Sequence, residues 1–410
     1  MKRAYICNTG CIRRALDATR VYDYLERNGW AFTDDPASAD LAIVSTCGAV
    51  QEDEDISLDA LRYVVRNKSA TTRVIITGCL PKLSPQKIRE IQGLDGVEFV
   101  PTGDLDRLDS VLDSECKLAD VPETGVVTHE QGLFDYILGY RLFRHSMFQS
   151  LYNNLSMNRR FVRTAIGLSE AANSVKKRLG LPARDKIIPY YNLRIGDGCL
   201  FACSFCCIRF ATGRLKSKPI EQIVKELRTG LANGHKTFQL VCEDTGCYGV
   251  DLGTTFPALL RELLEVEGDY QLLLIDYGGY WLVKYYDELL PLFLSHPKKI
   301  KELYVSLQSG SERILKAMNR PETGKEVRAR LKELKQKMPH LTLRTTVIVG
   351  FPGETEEDFQ QTVEAVKEVD FSAVEISKYA DRPGTAASKM QDKLPQEVID
   401  RRVEELNRYC

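Results

Sequence analysis

Short apolar runs separated by amphipathic stretches mark the first hundred residues of the chain. The runs at 4–6, 41–44, 74–76 and 97–100 lack polar alternation and read as buried parallel strands. Between them, apolar residues recur at helical spacing around 16–28, 54–66 and 85–91. This alternation predicts a small doubly wound α/β domain. From residue 187 the same alternation runs six times. Strands are expected at 189–195, 237–242, 271–276, 302–307, 342–349 and 372–377, with helices beginning near Pro219, Thr255, Leu282, Ser311, Thr355 and Pro395. Six βα units predict a partial (β/α)6 barrel, whose chemistry belongs at the C-terminal mouth of its strands. The chain thus divides into an N-terminal domain over 1–120, a connector over 121–186 and a barrel over 187–405.

The connector breaks the pattern. Within 138–178, Leu138, Leu142, Met147, Phe148, Leu151, Leu155 and Phe161 fall at near-helical spacing. Arg141, Arg144, Arg159, Arg160, Arg163, Lys176, Lys177 and Arg178 stand there against a single acid, Glu170. One or two basic amphipathic helices are expected, with two readings open: a solvated face, or a recognition element for RNA, an acidic peptide or a membrane surface. The whole chain of 410 residues carries a net charge of only −1, so any nucleic-acid surface must be local. No secretory core and no run of about 18 apolar residues are present, so no membrane span is expected. With 12 cysteines and no export signal, the expected setting is the cytoplasm. Metal or redox use there outranks a disulfide framework.

Cysteine positions add chemistry to this frame. Cys199, Cys203 and Cys206 stand in the spacing CxxxCxxC directly after the first barrel strand. Three thiolates on a four-iron cubane leave one iron without a protein ligand, free to bind a small molecule and pass it an electron. The competing readings are a structural zinc site, which wants a fourth ligand close by, and coincidence among buried cysteines. In the first domain, three strand-end loops each carry a cysteine beside small residues: Gly10-Cys11, Thr46-Cys47-Gly48 and Gly78-Cys79. Such loops converge at one edge of a doubly wound sheet, so Cys11, Cys47 and Cys79 could hold a second cubane. Inert buried thiols are the alternative. Cys7 competes with Cys11 but falls on the strand rather than in the glycine turn.

Polar or glycine-rich turns end other barrel strands. Glu243, Asp244 and Thr245 follow the second, Ser306 and Gln308 the fourth, Gly350 and Glu354 the fifth. These are candidates for holding the amino group and ribose hydroxyls of a nucleoside. Helix starts are the plain alternative for 243–244 and for Glu354. Cys207, Cys116, Cys242, Cys247 and Cys410 are expected to pack or to lie at the surface.

Several motifs in one order make the chain resemble the radical S-adenosylmethionine (SAM) methylthiotransferases over 1–115 and 186–405. They are Gly10-Cys11 with Asp17, Ser45-Thr46-Cys47, Gly78-Cys79, 198–206 with Gly213-Arg214, 243–249, Gln308-Ser309-Gly310-Ser311, Met318-Asn319-Arg320, 349–358 and Arg382-Pro383-Gly384-Thr385. The resemblance implies a transferase that replaces a C–H hydrogen with a methylthio group, using two [4Fe–4S] clusters and SAM. It assigns Cys199, Cys203 and Cys206 to the cluster that cleaves SAM to a 5′-deoxyadenosyl radical. It assigns Cys11, Cys47 and Cys79 to the cluster that holds the sulfur. An electron donor of flavodoxin or ferredoxin type is also implied, and catalytic side chains stay unassigned.

Three departures concern the substrate. The family's C-terminal TRAM domain would begin where the sequence stops, so either the sequence ends short of it or the protein lacks it. The connector is longer than usual. Asp276-Tyr277-Gly278-Gly279-Tyr280-Trp281 replaces an Asn-Pro or His-Pro sequence in a loop expected to face the substrate. Arg14 and Gln51 also stand where the family commonly has Asn and Arg. These departures point to a peptide or protein residue, or a specialised metabolite, as substrate. The alternative is tRNA adenosine of the N6-threonylcarbamoyladenosine type, the branch that 243–249 looks closest to. A non-catalytic iron–sulfur or RNA-binding module is the remote alternative.

Overall fold

The computed structural model describes residues 1–94, 96–127 and 190–410. The basic stretch 138–178 and most of the connector lie outside the described residues. Five parallel strands form the first sheet: β1 (Arg3–Asn8), β2 (Ala31–Phe32), β3 (Leu41–Thr46), β4 (Arg73–Gly78) and β5 (Glu98–Pro101). Their order is β2-β1-β3-β4-β5. Alternation of side chains decides which helix covers which face. Ala4 and Ile6 share a core with Val21, Tyr24 and Leu25 of the helix Ile12–Arg27. Tyr5, Val44 and Ile76 share the opposite core with Leu58, Leu61 and Val64 of the helix Gln51–Asn67. The domain is doubly wound, as expected. The helix expected at 85–91 is found at Pro85–Arg89, and a separate short helix, Leu80–Leu83, precedes it; the two are parted at Ser84, which stands before a proline and leaves the helical region.

Six further parallel strands form the second sheet: β6 (Tyr191–Arg194), β9 (Thr237–Val241), β10 (Gln271–Gly278), β11 (Ile300–Gln308), β12 (Thr342–Val349) and β13 (Ala373–Lys378). Each pairs with its neighbours in chain order, the arc of an open barrel. A small hairpin of β7 (Gly196–Asp197) and β8 (Lys216–Ser217) closes the first cysteine turn from below. Leu193, Leu240, Leu274, Leu303 and Val305 point to an outer core shared with the helices Ile220–Ala232, Phe256–Leu264, Gly279–Ser295, Gly324–Lys337 and Glu356–Val369. Each fully buried leucine there contributes about 2 kcal/mol. Alternate positions are polar: Gln239 Nε2 donates to Asn192 Oδ1, and Arg344 pairs with Glu302 at 3.0 Å. Parallel sheets covered on both faces are apolar on both. A polar inner face leaves this barrel suited to polar partners.

One expected loop is absent. β10 runs through Gly278 and the helix Gly279–Ser295 begins at once, so 276–281 is a strand-to-helix junction and the helix starts before Leu282. The Asp244 carboxylate explains the tightness: it accepts the Gly278 N–H at 3.0 Å and the Trp281 indole N–H at 2.9 Å. The helix Gly324–Lys337, between β11 and β12, was likewise not separately anticipated. Among the described residues no helix is long and apolar enough to cross a membrane.

Candidate functional site

The loop after β6 is built around glycine. Gly198 has φ +80°, and a Cβ there would sit 2.3 Å from the Arg214 carbonyl oxygen. Its N–H donates to Glu243 Oε2 at 2.7 Å, fixing the head of the cysteine loop to the end of β9. Met318-Asn319-Arg320 clamps the rest. The Met318 carbonyl accepts the Ser204 N–H at 2.9 Å, and Asn319 Nδ2 donates to the Ala202 carbonyl at 2.9 Å. The Arg320 guanidinium lies 3.6 Å from Cys203 Sγ. Burial pushes the Cys206 thiol up to about 12, with Cys203 adding to the shift.

The first triplet is assembled from three strands. Cys11 caps the helix after β1, Cys47 follows β3 and Cys79 follows β4, and these strands are neighbours in the sheet. Ser57 ties two of the loops: its hydroxyl accepts the Cys47 N–H at 2.9 Å and bonds Thr9 Oγ1 at 2.8 Å. The Cys79 N–H donates to the Thr46 carbonyl at 2.9 Å. That approach requires Gly78, which has φ +88° and whose added Cβ would lie 2.1 Å from the same oxygen. Burial drives the Cys47 and Cys79 thiols up, Cys79 to about 12. Cys11 and Cys79 add to the shift of Cys47, and Cys11 to that of Cys79.

Each set offers three thiols, the number a cubane with one open iron takes from a protein, each thiolate on a different iron. Among the described residues no group of three Cys, His, Asp or Glu side chains is placed to hold a metal ion. Neighbouring thiols held protonated by burial would exchange those protons for metal.

The halves meet where their strands end. Arg13, two residues after Cys11, donates to the Cys242 carbonyl at 2.9 Å and to Asp276 Oδ2 at 2.8 Å. Arg194 at the end of β6 pairs with Asp17 at 2.7 Å. Arg382 pairs with the buried Glu54. Cys207, buried beside Cys206, directs Sγ to the carbonyl of Gly48, beside Cys47, at 3.6 Å. That packing role is the one expected of it, and it ties the two cysteine-bearing loops together. Sequence reasoning missed Ser57 and Arg13. The latter left a signal: Arg13 and Arg14 open a helix whose first turn has no acid, against the helix dipole. Arg13 faces carboxylates of the other half instead, and Arg14 pairs with Asp17 at 3.1 Å.

Of the seven candidate ligand contacts, Asp244 and Thr245 already have protein partners. Asp244 spends its oxygens on the N–H groups of Gly246, Gly278 and Trp281, and Thr245 is fully buried with its hydroxyl on the Ile275 carbonyl. Strand-end turns leave backbone N–H groups that need acceptors, and a short carboxylate supplies them. Glu354 accepts the Gly350 N–H at 3.0 Å and pairs with Arg402 at 2.6 Å, so 350–354 is first of all a braced turn. Gly350 itself has φ +86°. Ser306 is half-buried and lends its carbonyl to Arg320 at 3.2 Å. Three of the candidates keep a buried oxygen without a hydrogen-bond partner among the described residues: Oε1 of Gln308, of Glu354 and of Glu243, the last facing Arg13 Nε at 3.7 Å. Gln308 also has φ +67°. Strain and unmet acceptors at one mouth suit a ligand rich in N–H and O–H donors.

Residues 193–366 match the Radical SAM superfamily, and residues 3–98 match the Uncharacterized protein family UPF0004. The chain is 30% identical to a probable threonylcarbamoyladenosine tRNA methylthiotransferase of Pyrococcus abyssi, covering 100% of this chain and 84% of that one. It is 29% identical to the ribosomal protein uS12 methylthiotransferase RimO of Thermodesulfovibrio yellowstonii, covering 99% and 82%. In fold it is similar to the radical SAM methyltransferase TsrM of Kitasatospora setae, with TM-score 0.59 and 14% identity over 95% of this chain and 77% of that one.

Proposed function

We propose a substrate for this chain from one premise: it belongs to the radical SAM methylthiotransferase family. It is accordingly a transferase, and the family's cofactors are SAM and two [4Fe–4S] clusters. Cys199, Cys203 and Cys206 would hold the cluster that with SAM supplies the hydrogen-abstracting radical, and Cys11, Cys47 and Cys79 the one that supplies sulfur. Around them, Glu243 and 318–320 hold the cysteine loop in place. The Arg194–Asp17 and Arg382–Glu54 pairs tie 1–120 to 187–405. Oε1 of Gln308, Glu243 and Glu354 would accept from the ammonium and ribose of SAM. An electron carrier of flavodoxin or ferredoxin type would reduce the protein.

The substrate we assign is an adenosine of tRNA. The observation behind the two-cluster reading is the Cys207–Gly48 contact, which brings the loop of one triplet against the loop of the other. The tRNA assignment draws on the Pyrococcus relative, aligned over the whole chain. The small-metabolite expectation has no counterpart among these relatives. A ribosomal-protein residue is the second reading, supported by the Thermodesulfovibrio relative. The test is anaerobic turnover of the reconstituted protein with SAM, a reductant and either total tRNA or ribosomal protein uS12. Mass spectrometry should find 5′-deoxyadenosine together with a methylthiolated nucleoside in the tRNA. A product on the ribosomal protein alone would overturn the assignment in favour of the second reading.

A further inference from the structure

The junction between β10 and the helix Gly279–Ser295 touches both cysteine-bearing loops. Asp276, at φ +52°, holds Arg13 behind Cys11 at 2.8 Å. Four residues on, Tyr280 meets Phe201, which lies between Cys199 and Cys203, edge-to-face at 5.6 Å and 88°. Trp281 backs both rings, 4.8 Å from Tyr280 and 5.6 Å from Phe201, and is itself pinned by Asp244. Trp281 is buried, whereas Tyr280 and Phe201 are only half-buried and keep part of their rings accessible. Lys284 is exposed, and its ammonium stands over Tyr280, Trp281 and Tyr285 at 5.7, 5.0 and 5.2 Å. Among the described residues that ammonium has no carboxylate partner.

We infer that Phe201, Tyr280 and Lys284 form the wall that reads the substrate, a stacked nucleobase with its adjoining phosphate. The inference rests on the tRNA reading and specifies how the chain would recognise it. Aromatic faces accept any base by stacking, and a lysine beside them meets the phosphate as a point charge. A peptide would need backbone hydrogen-bonding groups along the wall, and this surface offers rings and one cation. Its position also matters: Tyr280 touches the loop of Cys199 and Cys203, and Asp276 of the same junction holds Arg13 behind Cys11. The Asp244–Trp281 bond holds the wall rigid, so little entropy is lost when the base docks.

The chain has two tryptophans, Trp30 and Trp281, so Trp30→Phe leaves Trp281 as a single reporter on the wall. Titrating that full-length protein with a single-stranded adenosine-containing oligonucleotide should quench its fluorescence. Tyr280→Ala should weaken this binding and raise KM for tRNA by roughly 10- to 100-fold, the worth of one stacked base, while cleavage of SAM without substrate continues. Tyr280→Phe keeps the ring and should restore binding. Lys284→Glu should weaken binding and flatten its salt dependence. A wild-type protein that methylthiolates tRNA while all three variants bind and turn over normally overturns the wall alone. A wild-type protein that neither binds nor modifies RNA overturns the tRNA reading and the wall with it. An alanine variant with lowered turnover but unchanged KM and unchanged quenching also counts against the wall, since that would be a packing defect.

Discussion

The two cysteine triplets reach one seam by opposite routes. Cys199, Cys203 and Cys206 belong to a single loop, are half-buried, and depend on neighbours mainly for bracing. Cys11, Cys47 and Cys79 are separated by whole helices and meet only because β1, β3 and β4 lie side by side. Cys47 and Cys79 are almost completely buried, 2% and 5% exposed. A local loop closes at small entropic cost and can be built early. A triplet gathered from a sheet exists only once the sheet does. The first kind is a motif, and the second is a consequence of topology.

The largest expected effects separate the triplets by chemistry. Replacing Cys199, Cys203 and Cys206 with alanine should cut reconstituted iron from about eight to about four per chain and abolish 5′-deoxyadenosine formation. Continued cleavage of SAM by that variant would remove the assignment. Alanine at Cys11, Cys47 and Cys79 should again leave about four irons, but SAM cleavage should persist while methylthiolated product disappears. Product at the ordinary rate would reduce the first triplet to a structural site.

Smaller effects probe the frame around each triplet. Glu54→Gln leaves Arg382 buried without its charge partner and should cost about 3 kcal/mol, read as a lower denaturation midpoint. A midpoint unchanged within error would mean that this contact does not bind the halves together. Gly78→Ala spares every cysteine yet drives a Cβ against the Thr46 carbonyl, and should cost about 2 kcal/mol. It should lower iron at the first site and leave SAM cleavage intact. Full iron content in that variant would show that β3 and β4 can part without harm.

The smallest effect concerns the described start of the connector. Burial pushes the Glu123 carboxyl up, but Arg194 and Lys218 outweigh it and hold it below its ordinary range. A depressed carboxyl stabilises the fold above its unfolded value, near 4.3, and that contribution fades as pH falls through the lower folded value. Wild type should therefore exceed Glu123→Gln in stability at neutral pH, and the gap should close in acid. A gap that is constant with pH would exclude the charge as its source.

Much of this was legible in the chain. Strand and helix order follows from apolar periodicity, and the barrel triplet from local spacing, because both are set by contacts close in sequence. Thr355 and Asp358 illustrate this at a single helix start, where each caps the other's backbone. The three strand-end cysteines could be nominated from their loops, but not joined, until the order β1-β3-β4 was known.

Long-range partners were beyond the sequence. Asp244 was a candidate to meet a ligand, yet it accepts one N–H of its own turn, from Gly246, and two from the distant junction, those of Gly278 and Trp281. Nothing local announces that β10 will bring Gly278 and Trp281 to its carboxylate. Ser57 and Arg13 act on loops far away in the chain, where only the unfavourable charge in a first helical turn hinted at a role. Sequence determined which groups the protein carries and the local shapes that present them. Tertiary structure decided which of those groups stay open, because a buried donor must find an acceptor and takes whichever one the fold brings near.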